Sequence, residues 1–595
     1  MDRNFLLAIV LSLGVLLIWD LTIAGPQRKQ LREAREAAAE SQITDQEREV
    51  AGLNGMPAEV ETISVDEAIA QAPGRVAIRT PNLEGSINLE GGRIDDLKLI
   101  QYHEEVDPLS PVIRLLSPRE TEHGHYAQQG WIAGGDVGEN AKWTAPDGAQ
   151  LTPTTPVTLT RRQGGLVFEK TISVDDRYMF AIEQTVRNEG DEAQSLTPYA
   201  LVIQRGIPDD LKNFMILHEG PLGVIGTKLY ERKYNKLKKN KNKNVNASGE
   251  GGWVGITNKY WLAAAVPPQD EEMTASLANV GTQVAPIFRA SYSLPARSLA
   301  PGETLSLTSH VFGGAKDVDV LMSYENKPED GGLGVYDFDK AVDWGHLFFL
   351  TRPIFYTLNF FGDLIGNFGI AILILTLIIK AILFPLANKG YESMSKMKKL
   401  QPEIKKLQES YPDDKMKLQQ EMMALYKKEK MNPLAGCLPI LLQMPIFYAL
   451  YKTLFVTIEL RHQPFLYIQD LAAQDPTTVF NLFGLLPYDP TALPVIGAFL
   501  GIGILPLLMG VAMWFQTKLN PPPTDPVQAQ IFAMLPFVFV FIFAPFAAGL
   551  VLYWFWNTAL SIFQQWLIMK KNGVSVDWGE RLPFMKPKKS PAPGE

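Results

Sequence analysis

Two textures of apolar patterning divide the chain. Between residues 61 and 335, apolar and polar residues tend to alternate, as in LVFEKTISV (166–174), YMFAIEQTVRN (178–188) and ETLSLTSHVFGG (303–314). Alternation with β-branched residues, punctuated by Gly and Pro, predicts strands. Without an 18-residue apolar run, the stretch reads as one large all-β sandwich domain. Elsewhere the apolar runs are long. Residues 5–23 are apolar apart from Asp20, and further runs cover 364–386, 436–456 and 493–515. Residues 531–569 carry no charge over 39 positions. As one helix that stretch would be about 58 Å long, nearly twice the ~30 Å of membrane hydrocarbon. Pro545 with Ala547, Ala548 and Gly549 marks a turn in its middle, so it reads as two spans, 530–544 and 547–569. The pattern predicts a multidomain protein: an anchor at 1–25, a polar linker at 26–60, the β domain, and an α-helical polytopic core of five spans at 363–570.

The segments between the runs have their own patterns. Residues 343–361 are aromatic and apolar with Pro353 interrupting them, which predicts an amphipathic helix lying in the membrane interface over 340–362. Residues 388–432 predict a helical hairpin, with helices over 392–410 and 414–430 separated by Tyr-Pro-Asp-Asp. Met394, Met397, Leu400, Ile404 and Leu407 form one apolar stripe; Leu418, Met422 and Leu425 form another. The stripes can pack on each other. Alternatively Met394, Met397, Met422 and Met423 can receive varied apolar segments, because methionine is flexible and polarisable.

Charge then orients the chain. Residues 1–360 carry 35 Lys+Arg against 48 Asp+Glu, whereas 361–595 carry 21 against 16. Loop 388–432 holds 11 lysines and the tail from 570 onward six Lys+Arg, while loop 457–492 holds only Arg461. By the positive-inside rule the hairpin, the basic tail 571–595 and both termini lie in the cytoplasm, and the β domain lies outside. The lysines of the hairpin would attract anionic lipid or ribosomal RNA. The basic run RKYNKLKKNKNKN (232–244) reads as a solvated loop of the β domain. A single cysteine, Cys437, excludes an intramolecular disulfide framework.

Polar groups inside the spans are the candidate chemistry. A charge within a span costs roughly 2.5–3.5 kcal/mol and marks a pathway or a wet cavity. Lys380 is such a charge, with Thr376 four residues earlier on the same helix face. Gln443 lies between Pro439 and Pro445, Gln516 ends the fourth span, and Trp554, Asn557, Thr558, Ser561, Gln564 and Gln565 fall in the last. Lys380 either snorkels toward the cytoplasmic headgroups or faces a hydrated cavity shared with these groups. No G-x-x-x-x-G-K-[ST] nucleotide loop occurs, and no catalytic residue, cofactor, nucleic-acid-specific site or metal site is predicted.

The sequences LQPEIKKLQ (400–408), QEMMALYKKEKMNPLAGCLPILLQMPIFYALY (420–451) and GLVLYWFWN (549–557) resemble YidC-type membrane protein insertases of the Gram-negative kind. The resemblance implies a five-helix core enclosing a hydrophilic groove open to cytoplasm and bilayer, a cytoplasmic helical hairpin and a periplasmic β-supersandwich. It implies insertion and folding of nascent membrane proteins at the bacterial inner membrane, alone or with the Sec translocon, the ribosome and the signal recognition particle receptor as further partners. By position, Lys380 stands where most members have a groove arginine, Thr376 matches a groove threonine, and Trp554 stands at an aromatic client contact. Lysine keeps the charge but lacks the guanidinium fork. Two other classes remain. An ion-coupled transporter with a periplasmic substrate-binding domain would require intramembrane carboxylates, and the predicted spans contain none. A sugar-modifying β domain would need an acid/base pair, and His123 with His125 is the only metal-like spacing.

Overall fold

The computed structural model describes residues 62–573 apart from short internal stretches, the longest being 430–437, 212–216 and 521–525. The expected anchor, linker, basic tail and Cys437 lie outside the described residues. The described chain separates into two compact units, a β unit up to Asp343 that also takes in Val456–Ile458, and a helical unit made of the rest from Trp344 onward. Both classes of structure read from the sequence are therefore present.

The β unit is two packed antiparallel-rich sheets, of eleven and eight strands among the described residues. In the larger sheet, Gln194–Arg205 pairs with His125–Ala133 on one side and Ile287–Ser293 on the other, with Ala200 opposite Gln129 and Tyr292. In the smaller sheet, Thr304–Ala315 lies between Trp261–Val266 and Met179–Asn188. Alternation follows exposure at the margins: Leu166–Val174 buries its first three residues and then every other one. Central strands such as Trp261–Val266 are buried at every position, because both of their faces are covered. Phe312 meets Tyr178, Tyr324 and Phe338 edge-to-face in the core.

Three short helices decorate this unit: α1 (Val65–Gln71), α2 (Tyr234–Lys239) and α3 (Val318–Glu325). The basic run read as a free loop is partly this α2. Its Tyr234 and Leu237 are buried, and Tyr234 packs edge-to-face on Phe288, so two apolar anchors hold a turn whose lysines stay outside. His123 and His125 do not form a metal pair. His123 meets Asp209, whereas buried His125 bonds the Ile203 carbonyl through Nδ1; His123 lies in the turn before the strand that begins at His125, so the same-face rule for residues two apart on a strand does not bring the rings together. Glu325, Asp337 and Asp339 converge closely enough to hold a cation, but Lys340 already pairs with Asp337.

Burial keeps His125 and His218 neutral, lowering their pKa to about 4 and about 3. A base held neutral in the fold takes up protons more readily when unfolded, so stability falls as pH drops through 6.5 toward the folded values. Taken in full, the shifts are worth roughly 3 kcal/mol for His125 and roughly 5 kcal/mol for His218. The β unit of the full-length protein in detergent is expected to melt at progressively lower temperature from pH 7 to pH 5, followed by β-sheet circular dichroism. His125→Gln should flatten that dependence, and a melting temperature independent of pH over this range would contradict it.

The helical unit comprises α4 (Phe348–Ile365), α5 (Phe368–Lys399), α6 (Gln401–Ser410), α7 (Lys415–Lys428), α8 (Leu438–Val456), α9 (Gly497–Leu500), α10 (Ile504–Leu519), α11 (Pro526–Phe543) and α12 (Ala548–Lys571). Several boundaries correct the sequence reading. The interfacial helix expected over 340–362 begins at Phe348 and ends at Gly366, whose φ of 71° stops it. Pro353 lies within that helix instead of interrupting it. The first hairpin helix is not separate: α5 runs from the second span through Lys399. Its 32 residues make about 48 Å, which exceeds the ~30 Å of hydrocarbon by more than half. Asn367 starts it by accepting from the Ile370 amide, and Pro402, at the start of α6, enforces the break because its ring cannot follow a helical carbonyl four residues back. The fourth span expected at 493–515 is displaced to α10. Backbone through Ile502 and Gly503 is not helical, leaving 16 residues, about 24 Å. Among the described residues only α5 is both long and apolar enough to cross a membrane unaided.

Candidate functional site

Two polar helix faces meet in the helical unit. On α5, Thr376, Lys380, Tyr391, Ser395 and Lys398 recur at helical spacing on one side. On α12, Asn557, Ser561, Gln564 and Gln565 do the same. Large apolar residues such as Ile382 on α5 and Phe563 on α12 turn the other way, and both are exposed. Lys380 bridges the two faces: its Nζ donates to Ser561 Oγ at 2.5 Å. Ser561 in turn donates to the Asn557 carbonyl at 2.8 Å. Further along, Lys398 donates to the Leu519 carbonyl and Gln565 to Asn520 Oδ1, tying the end of α10 to the same seam.

The seam is under-satisfied. Asn388 Oδ1, Ser395 Oγ, Gln564 Nε2 and Gln565 Oε1 are buried without a hydrogen-bond partner among the described residues. Each such atom, if dry, costs about 1–3 kcal/mol. Water satisfies groups of this kind where two or more polar atoms converge.

The other expected residues are distributed differently. Thr376 is buried, but its hydroxyl donates back to the Ile372 carbonyl at 2.6 Å, so it packs beside Lys380 without touching it. Gln443 on α8 faces the Tyr553 hydroxyl, not Lys380. Trp554 stands in an aromatic cluster with Phe447, Phe543 and Phe539 at centroid distances of 4.4, 4.9 and 6.4 Å, joining α8, α11 and α12. It lies seven residues before Ser561, about 10 Å along the helix. Gln516 is half-buried on α10, and the described bonds reach the seam through Leu519 and Asn520 instead. Among the methionines, Met394 and Met397 lie on the last turns of α5, and Met422 and Met423 on α7; all four are half-buried. Ile404 and Tyr426 are the buried positions of the α6–α7 pair. Met416, absent from the sequence reading, is 65% exposed.

Two features escaped the sequence reading. Lys452 is a second lysine inside an apolar run, 1% exposed, its stem against Gly345. Its signal was present: a charge four residues before the end of 436–456. Next to it, Thr453 donates to the Thr351 carbonyl and joins α8 to α4. The second feature is Asp475. It accepts from the Tyr467 hydroxyl, the Thr477 amide and hydroxyl, and the Leu505 amide, while Thr477 accepts from the Ile504 amide. The same segment offers the Ala473 and Leu471 carbonyls to the Ala548 and Gly549 amides. One short loop thus caps the first amides of both α10 and α12, which otherwise have no partners. Gly503 is required there, because a Cβ would lie 2.4 Å from Asp475 Cγ. The N-terminal ends of α10 and α12 are closed by this loop, and the polar seam occupies the opposite, lysine-rich half.

Comparison with known proteins identifies the family. Residues 360–574 match the family described as 60Kd inner membrane protein, and residues 75–357 match the YidC periplasmic domain. A relative from Beijerinckia indica, named membrane protein insertase YidC, is 47% identical over 599 residues and covers 98% of both chains. One from Nitrobacter hamburgensis with the same name is 46% identical over 97% of this chain and 96% of its own. A crystal structure of an active YidC insertase aligns with 85% of this chain and 94% of its own, at 18% identity and a TM-score of 0.35. With full-length relatives at this identity, the chain belongs to the YidC family of membrane protein insertases of the inner membrane.

Proposed function

We propose that the seam between α5 and α12 is a hydrated groove that receives the polar flank of a nascent membrane segment, with the Lys380 ammonium attracting acidic flanks. The supporting observation is a half-buried cation bonded to a neutral hydroxyl, beside four buried polar atoms with no hydrogen-bond partner among the described residues. A polar flank must otherwise cross ~30 Å of hydrocarbon; a wet groove reaching partway shortens that distance. The apolar part of the client slides into lipid along exposed faces of α5 and α12, gaining about 25 cal/mol per Å² buried. No bond is made or broken. Trp554 and its aromatic neighbours line the apolar end of the path, with Gln443, Gln516, Asn557 and Thr376 shaping its wall. A crosslinking scan from these positions to a stalled nascent chain tests the reading. Crosslinks confined to the exposed apolar residues Ile382 and Phe563 would refute a groove path.

The termini and the hairpin lie in the cytoplasm and the β domain in the periplasm, as the lysine distribution supports. The hairpin lysines serve anionic lipid and the ribosome, and the protein works alone or beside the Sec translocon with the signal recognition particle receptor. The acidic β domain takes no part in the insertion step, since the seam is complete without it. Deleting residues 75–315 while keeping the anchor and the segment from 330 onward is expected to leave insertion within about twofold. Normal membrane levels with no insertion would overturn this division of labour.

The half-buried methionines on α5 and α7 contact clients transiently. Met394→Asp and Met422→Asp are expected to lower client crosslinking several-fold while protease resistance of the hairpin holds. Leucine at the same positions should change little, because volume and apolarity are kept. Loss of resistance in step with crosslinking would assign the methionines to hairpin packing alone.

A further inference from the structure

We propose that Ser561 is a positioning residue: it holds the Lys380 ammonium inside the seam, uncompensated, and so sets the preference for client flanks that carry carboxylates. The inference rests on the groove reading above and concerns a different residue. A lysine has a flexible four-carbon stem and a strongly hydrated head. Lys380 lies nine residues before Lys389, about 14 Å along the helix, so its head could extend toward the cytoplasmic interface. Instead Nζ reaches across to the neighbouring helix and meets Ser561 Oγ.

Three features make that serine a specific tether. Its hydroxyl proton is already committed to the Asn557 carbonyl, so the oxygen presents its lone pairs to the ammonium as a fixed acceptor. It is 3% exposed, so packing fixes its position. Tyr391, buried one helix stretch further along α5, also approaches the Ser561 side chain. An ammonium has three donors, and the tether uses one. The others point to no carboxylate, for among the described residues no Asp or Glu pairs with Lys380. A carboxylate anchor would hold the lysine equally well but neutralise it. A hydroxyl anchor positions the charge and leaves its field available to an incoming acid. The chemical class selected is therefore a segment with Asp or Glu in the short flank to be translocated.

The test uses the full-length protein in reconstituted vesicles, with two clients identical except for an acidic or a neutral flank, and reads protease protection of the translocated tail. Ser561→Ala is expected to slow the acidic-flank client by three- to tenfold and leave the neutral one within twofold. Ser561→Thr, which keeps the hydroxyl, should restore it. In the same vesicles, acylation of Lys380 by a membrane-impermeant amine reagent, followed by peptide mass spectrometry, should accelerate several-fold in Ser561→Ala as the head moves toward water. Equal slowing of both clients would make Ser561 a packing residue and overturn the inference. If Lys380→Ala slows the acidic client but Ser561→Ala does not, the tether is wrong and the groove reading stands. If Lys380→Ala slows neither, the groove reading itself fails.

Discussion

Lys380→Glu is expected to cut insertion of an acidic-flank client by tenfold or more, with Lys380→Ala intermediate and Lys380→Arg near the parent rate. The sign follows from the seam. The hydrogen-bond partner described there for Lys380 is the neutral Ser561 hydroxyl, so the substitution replaces attraction by repulsion in a partly desolvated site. Two unit charges at 4 Å interact by about 4 kcal/mol at an effective dielectric of 20, and about 1.4 kcal/mol already amounts to tenfold. Arginine keeps the charge, and its additional donors can meet the same serine. The measurement is protection of the translocated tail, normalised to the amount of protein in the vesicle. Clients with basic flanks should respond in the opposite direction to Lys380→Glu. Unchanged insertion of the acidic client by Lys380→Glu would remove electrostatics from the account.

Asp475→Ala is expected to be among the most destabilising single changes in the helical unit, because it strands several neutral donors, each costing about 1–3 kcal/mol where buried. The substitution strands the Leu505 amide and the Tyr467 hydroxyl and releases the loop that caps two helices. The expected result is a large fall in melting temperature in detergent, poor recovery from the membrane, and insertion lost in proportion to folded protein. Asp475→Asn should fall between, since one side-chain oxygen remains an acceptor. Gly503→Val tests the same contact from the other side and should fail similarly, because its Cβ cannot fit against Asp475. An Asp475→Ala protein with parental melting behaviour would show that the loop is not needed to hold α10 and α12 together.

Much of this was legible in the residues themselves. Alternation over 61–335 specified strands because side chains on a strand face opposite sides with a period of two. The uncharged run at 531–569 was too long for one crossing, and the small residues after Pro545 located its break, where Ala544 to Ala547 separate α11 from α12. Lys380 was legible as exceptional because a charge amid apolar residues stands out without any knowledge of neighbours. Polar residues at helical spacing on α12 could likewise be assigned to one face.

What the sequence could not decide was which faces meet and where continuous helices stop. Thr376 and Lys380 share a face, yet one hydroxyl turns back to its own helix while the ammonium crosses to another; that choice depends on the distance to α12. Helix α5 overruns its apolar stretch because backbone hydrogen bonding continues regardless of hydrophobicity until Pro402 prevents it. Asp475 looked like an ordinary loop acid, since its four donors come from residues up to 30 positions away. Lys452 is buried with its stem beside Gly345, a neighbour more than a hundred positions earlier in the chain. Local periodicity is a property of the chain's own geometry, so the elements, their apolar faces and the charge at Lys380 could be read from the residues. Pairing of faces, helix capping across loops and the partner of that charge are long-range contacts, which arise only when distant segments pack.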